Sequence, residues 1–496
     1  MKRSNKILRA LVLAVSLCAV SLCLGVALAE DITIVLGTEP TTLDPHAADD
    51  GAEKAVNDNV FETIMKRDAE GNLELGLAAE WPMQIDDTTW HIKLRDGVVF
   101  HNGEPLNAAA VAFSVNRMVD PDLNSEQLSY YSTFVSASVI DELTVELKTS
   151  GPDPILPARL YYFMISPPQA TLEDSFASAP VGSGPYKFVL WDRGNEIKLE
   201  ANEDYWGGRP EVDGVTYRFI EESGTRLSAL IAGEVDLITN LLPEFKAQVP
   251  QAASMRGLEH PIVILNTDEG ITADKRVRQA LNYAVDKEAL VSALFEGDAV
   301  VEEGQLLGQT YFGFNEDIIA YPYDPERARQ LLEEAGAVGG QITLVSTSGR
   351  WLKDRELTEV VGGFWEAAGL DVDVQIYEFG EYLDRLFDKE NRSDAFFIVS
   401  GNELLDADRS LSAYYAPSGF GASNSFEELE AWITEARTET DLEKRAALYN
   451  EAVAFAHEEA THTWLLNINN IWGMSERLEW APRVDGKMFV ASMSLK

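Results

Sequence analysis

The chain has 496 residues, 46% apolar and 25% charged, with 82 acidic against 40 basic side chains and a formal net charge of −42. A polymer this acidic repels phosphate backbones, which excludes nucleic acid as an expected partner. Its length exceeds what one hydrophobic core serves, so at least two lobes are expected.

Lys2, Arg3, Lys6 and Arg9 precede an apolar run from Ala10, and Ala27-Leu28-Ala29 forms an A-x-A site just before Glu30 and Asp31. The pattern predicts a cleaved secretory signal peptide over residues 1–29. The rival reading is an uncleaved anchor, because the apolar run approaches spanning length. Both cysteines, Cys18 and Cys23, fall inside this segment, each preceded by Leu where a lipid-anchored precursor carries a small residue. Lipidation is therefore not expected, and the exported chain is left without disulfides or thiolate chemistry.

The stretch "LRDGVVFHNGEPLNAAAVAFSVNRM" (94–118) gathers Arg95, Asp96, His101 and Glu104 within ten residues. Trp90, Ile92 and Leu94 alternate with polar residues as in a half-buried strand, Asp96-Gly97 reads as a tight turn, and Val98–His101 reads as the return strand. Asn107 is placed to cap a helix with Val111, Val115 and Met118 on one face. The charges then belong to scaffold rather than to an active site. From Gly182 strands flank Trp191-Asp192-Arg193-Gly194, and a helix ending at Gly233 leads into a short strand. "LEHPIVILNT" (258–267) reads as a strand that crosses between lobes.

Beyond Asn266 helices and strands alternate. Asp286 caps a helix ended by Gly297; Asp324, Pro325 and Gly336 bracket another. A strand at 341–345, a helix at 354–368 stopped by Gly369, and strands in "LDVDVQIYEF" and "DAFFIVS" (395–399 within it) follow. This order predicts an α/β lobe with a largely parallel sheet. Two amphipathic helices (about 425–438 and 441–459) precede a late strand in "THTWLLNIN", which also crosses between lobes.

No phosphate loop, nucleophile elbow or H-E-x-x-H motif is present. The six histidines are scattered, so no metal site and no cofactor are expected. A glycosidase-type carboxylate pair is not singled out by any stretch, and a secreted carboxylate-dependent hydrolase is kept as the alternative of another class.

"EPTTLDPH" (39–46), "VFETIMKRDAEGNLELGLAAEW" (60–81), the 94–118 stretch, "VGSGPYKFVLWDRG", "ANEDYWGGRPEVDGV", "ALIAGEVDLI", "DKRVRQALNYAVDKEAL" and "YPYDPERARQLLEEAG" occur in that order. Together they resemble the peptide/nickel-binding family of periplasmic solute-binding proteins of ABC importers, solute-binding family 5. The resemblance implies an α/β, two-lobed periplasmic binding fold with interlobe hinge strands and a small subdomain inserted in the first lobe. Mapped onto the chain, lobe I comprises 30–45, 170–262 and 468–496, the inserted subdomain 46–169 and lobe II 263–467. It also implies a monomeric periplasmic receptor that passes a small solute to an inner-membrane permease served by separate ATPase subunits. A di- or oligopeptide is the expected solute; an opine, oligosaccharide, glutathione, haem or nickel complex are the alternatives.

Ligands of α/β lobes meet the loops beyond the carboxyl ends of strands. In "STSGRWLKD", Arg350 is suited to a bidentate pair with a ligand carboxylate and Trp351 to packing on an apolar side chain. In "SGNELLDAD", the family's peptide binders carry an Asp that pairs with the peptide amino group; Glu403 stands there, and Ser400 replaces an early Trp. Asn402 and Asp406 of this loop join the expected contacts, Asp406 being equally suited to cap a helix. Thr41 and Thr42, Tyr131 of an aromatic cluster with Tyr130 and Phe134, and Tyr414 complete the expected ligand-binding set.

Overall fold

A computed structural model describes residues 30–496; the signal-peptide reading of 1–29 and both cysteines lie outside the described residues. A twelve-stranded sheet runs through the molecule. At one end lie Asp31–Leu36, Gly214–Phe219, Glu196–Ala201 and Tyr186–Asp192, and at the other Asp371–Tyr377, Gln341–Thr347 and Ala395–Gly401. Two long strands join the ends. The first crossing strand, Gln251–Leu265, pairs through 251–256 with the second, Leu466–Met474, and through 259–265 with Ala395–Gly401. The three strands of the far end are mutually parallel, with helix Asp354–Ala368 between two of them, which is the α/β order expected of that lobe.

Between Leu36 and Tyr186 the chain leaves this sheet and builds a separate four-stranded antiparallel one, Met83–Asp86, Thr89–Lys93, Thr144–Thr149 and Phe134–Val139. This inserted unit has its own core, drawn from residues between Ile64 and Ile165 together with Leu404. Helix Gly51–Val60, assigned from sequence to the insertion, instead packs Ala52, Ala55, Val56 and Val60 into the first-lobe core with Ile32, Ile34 and Tyr217.

The 94–118 stretch is scaffold, with one change. Val98–His101 is not a return strand; Trp90–Lys93 pairs with Leu147–Thr144, over fifty residues later. Gly97 and Gly103 do turn the chain with φ of 78° and 87°. Arg95 donates to the Gly76 carbonyl at 2.7 Å, the His101 imidazole bonds the Gly184 carbonyl, and Glu104 accepts from the Gln169 amide. Asn107 caps helix Ala108–Met118 as its sequence position predicts, accepting from the Ala109 amide at 3.0 Å. Among the described residues no helix is long and apolar enough to cross a membrane.

Candidate functional site

A cavity of about 1000 Å³ lies between the lobes, walled by the crossing strands, the inserted unit and two lobe II loops. The loops arrive there for a topological reason. Strands Gln341–Thr347 and Ala395–Gly401 are parallel and adjacent, so both release their loops at the same edge of the sheet. Glu259 of the first crossing strand lies opposite Gly401, at that same edge. A bulge there leaves Gly257 and Leu258 unpaired between Arg256 and Glu259. Bulges re-aim neighbouring side chains; a Cβ on Gly257 would sit 2.6 Å from the Ile468 carbonyl, so the bulge requires glycine.

The first loop presents Arg350 and Trp351 to the cavity. Buried Asp354 holds it: its carboxylate accepts from the amides of Gly349, Arg350 and Trp351 at 2.9–3.0 Å. Arg350 is exposed to the cavity and its guanidinium forms no ion pair among the described residues. It lies 5.2 Å from the Phe379 ring, and Trp351 stands edge-on to Phe379, Tyr382 and Phe397. Phe387 and Phe420, both about half exposed, and Tyr414 extend this aromatic wall. Burial pushes the Tyr414 hydroxyl up to about 12, so it is a neutral donor at any physiological pH.

The second loop presents Glu403, which is already partnered. Arg409 donates to its carboxylate at 2.6 Å and the Tyr130 hydroxyl at 3.1 Å. Burial pushes the Glu403 carboxyl up, but Arg409 and Lys54 outweigh it and hold the group below its ordinary value. Glu259 differs. It lines the same cavity and its carboxylate accepts no hydrogen bond among the described residues. Burial raises its carboxyl above the usual range; Arg350 pulls it down and Glu403 pushes it up again. First-lobe cations are mostly committed: Lys54 pairs with Asp49, Lys487 with Asp58, and Arg226 donates to the carbonyls of Ile220, Glu221 and Asn240. On the lobe II and crossing-strand side of the cavity, Arg350 and Glu259 are the two charges without an ion-pair or hydrogen-bond partner; on the first-lobe side the exposed Glu221 carboxylate also has none among the described residues.

Of the nine residues expected from sequence, Arg350, Trp351, Glu403 and Tyr414 line the cavity. Five do not. Tyr131 is fully buried against Phe163, and Tyr130, one residue earlier, faces the cavity instead. Asn402 is buried, donating to the Asp406 carbonyl and the Ser410 hydroxyl, so it shapes the loop from behind. Asp406 caps helix Ala407–Tyr414 and forms a bidentate pair with buried Arg445. Thr42 bonds the Asp44 amide and Thr41 is exposed beside Arg193, while Gly37 and Thr38 are what that segment gives the cavity. Glu259, Arg409 and Asp354 were missed. Glu259 did carry a signal, as a lone acid inside an apolar strand already placed at the crossing. Among the described residues no three His, Cys, Asp or Glu side chains converge as a metal site.

Residues 72–422 match the model of the bacterial extracellular solute-binding proteins, family 5. The chain is 30% identical to the haem-binding protein A of Haemophilus influenzae over 78% of each chain, and 28% identical to the glutathione-binding protein GsiB of Pectobacterium atrosepticum over 86% of each. Its fold is similar to that of the periplasmic binding protein DppA of Helicobacter pylori, solved with the peptide STSA. The TM-score is 0.75 at 25% identity, over 94% of this chain and 98% of that one. The shared two-lobed fold, the cleft between the lobes and the family match agree: the chain belongs to the family 5 extracellular solute-binding proteins, the substrate-binding receptors of ABC importers.

Proposed function

We propose that this receptor captures a short peptide with free termini, in the periplasm, and releases it unchanged to its permease. The observation that carries the reading is the pair of unmatched opposite charges in one cavity wall, Arg350 and Glu259. A peptide zwitterion satisfies both: its carboxylate takes the Arg350 guanidinium in a bidentate bond, and its ammonium takes Glu259, with Glu403 beside it. The aromatic wall of Trp351, Phe379, Phe387 and Phe420 takes an apolar side chain. A volume of about 1000 Å³ is at the upper end of small-molecule sites, which run from roughly 300 to 1,000 Å³, and suits a solute of a few residues. The peptide bound by DppA and the glutathione named for GsiB, itself a tripeptide, favour the same class.

The mechanism is binding alone. Lobe I and lobe II swing about the crossing strands, and a solute touching both favours the closed arrangement. The receptor acts as a monomer, and no residue of the cavity is assigned a bond-breaking role. Native mass spectrometry of the exported protein, purified gently, identifies the solute it carries. A peptide is expected, released by Arg350→Ala; a firmly held non-peptide solute, or hydrolysis of the carried solute, overturns the reading.

A further inference from the structure

The loop that follows strand Ala395–Gly401 does more than face the cavity: it docks on the inserted unit. Leu404, 2% exposed, is counted in the inserted unit's own core with Leu73, Ile155 and Leu156, though it belongs to lobe II. The Leu404 carbonyl accepts from Arg67 Nη2 at 2.6 Å. Arg159 Nη2 of the insertion reaches Asp408 of lobe II at 3.5 Å, with both side chains under 10% exposed. The Arg409 guanidinium lies 4.0 Å over the Tyr130 ring. Leu405, between these contacts, has φ of 53°, a left-handed conformation that costs a branched residue energy and persists only where its surroundings impose it.

Each of these contacts joins lobe II to the insertion, so each breaks when the lobes part. Arg409 and Tyr130 line the solute cavity, but Leu404 and Asp408, which carry the apolar and ionic halves, do not.

We propose that the inserted unit is the receiving half of a closure latch whose other half is Leu404 and Asp408. The latch sets how far the lobes favour closure before any solute adds its contacts. Solute affinity is the product of its contacts and the closed fraction, and neither Leu404 nor Asp408 lines the cavity, so the latch scales affinity for every solute alike. The proposal rests on the hinged-receptor reading above but not on the solute being a peptide.

The test needs no solute. Cysteines introduced at exposed Asp87 of the insertion and Glu428 of lobe II, Asp87→Cys and Glu428→Cys, carry spin labels; the chain's own cysteines precede residue 30. Pulsed electron–electron resonance then reads the open-to-closed ratio of solute-free protein. A substantial closed population is expected, with Leu404→Ala raising the open-to-closed ratio at least tenfold and Asp408→Asn at least threefold. Asp408→Asn keeps shape and leaves Arg159 paired with Asp153, but it also releases Arg437 of lobe II, 3.1 Å from the Asp408 carboxylate; Arg437→Gln removes that pair alone and should leave the ratio unmoved, so the two together decide the matter where Leu404→Ala does not fold. An entirely open parent protein, or a ratio unmoved by both Leu404→Ala and Asp408→Asn, overturns the latch. Failure of the peptide reading would instead appear in solute binding, with these ratios unaffected.

Discussion

Asp406 offers a severe test of how the ligand loop is held. Its two carboxylate oxygens accept from Arg445 at 2.6 and 2.7 Å, with the side chains 9% and 1% exposed. The same carboxylate caps helix Ala407–Tyr414 through the Asp408 amide at 2.9 Å. Asp406→Ala strands the guanidinium in the lobe II core with the Ala436 carbonyl and the Tyr449 hydroxyl as its remaining partners. Uncompensated buried charge costs about 3–5 kcal/mol and a lost cap about 1 kcal/mol, so roughly 4–6 kcal/mol is expected. In a lobe of this size each kcal/mol moves the midpoint by about 2–4 °C, which places the lobe II transition roughly 8–24 °C lower in calorimetry. Replacing both partners by apolar residues, Asp406→Leu with Arg445→Met, removes the charge and its desolvation together and should recover most of the loss. A single substitution costing under about 1 kcal/mol, or a double variant as unstable as the single one, refutes the assignment of this pair as a buried structural anchor.

Three further outcomes follow. Solute affinity should weaken as pH falls from neutral towards the ordinary Glu value of 4.5, because Glu259 is held above it and protonates first; Glu259→Gln should flatten that slope in calorimetric titrations and lower affinity at neutral pH about tenfold or more. His462 is held at about 3, and His46 at about 4, by burial, so the unfolded chain takes up their protons first. Their stabilisation is complete above pH 6.5 and lost as pH falls through the interval down to those values, and His462→Phe should shallow the fall of the melting temperature across it. Gly182→Ala would place a Cβ 1.8 Å from the Val60 carbonyl, a backbone clash that no side-chain shift relieves; a melting loss at or above the usual overpacking cost of about 1–3 kcal/mol is expected, and an unchanged melt would contradict that packing.

Local chemistry was readable where it is carried by neighbours in the chain. Asn107, Asp286 and Asp324 accept from amides two or three residues on, and Gly336 and Gly369 end helices with positive φ, as their sequence positions indicate. Pairing over long separations is not readable: Thr89–Lys93 pairs on one edge with the adjacent Met83–Asp86 and on the other with 144–148, not with the run that follows it. The ligand loops could be located because strand ends are local features, but which loop residues face the cavity could not. Asp406 has the right chemistry for a ligand contact and is taken by Arg445, 39 residues later; Asn402 is consumed by its own loop. In the aromatic cluster, Tyr130 and Tyr131 exchange roles because sequence gives no way to choose between adjacent side chains on opposite faces. Glu259 depends on a two-residue bulge that only the paired strand reveals.

The central claim is that the cleft reads the two charged ends of one solute. Calorimetric titration with a defined tripeptide, and with the same peptide N-acetylated or C-amidated, tests it most directly. Each blocked end removes one charge-assisted contact worth about 1.5–3 kcal/mol, so affinity should fall about tenfold or more for each. The loss on amidation should vanish in Arg350→Ala and the loss on acetylation in Glu259→Gln. Equal affinity for free and blocked peptides, or no binding of any peptide, would contradict the account.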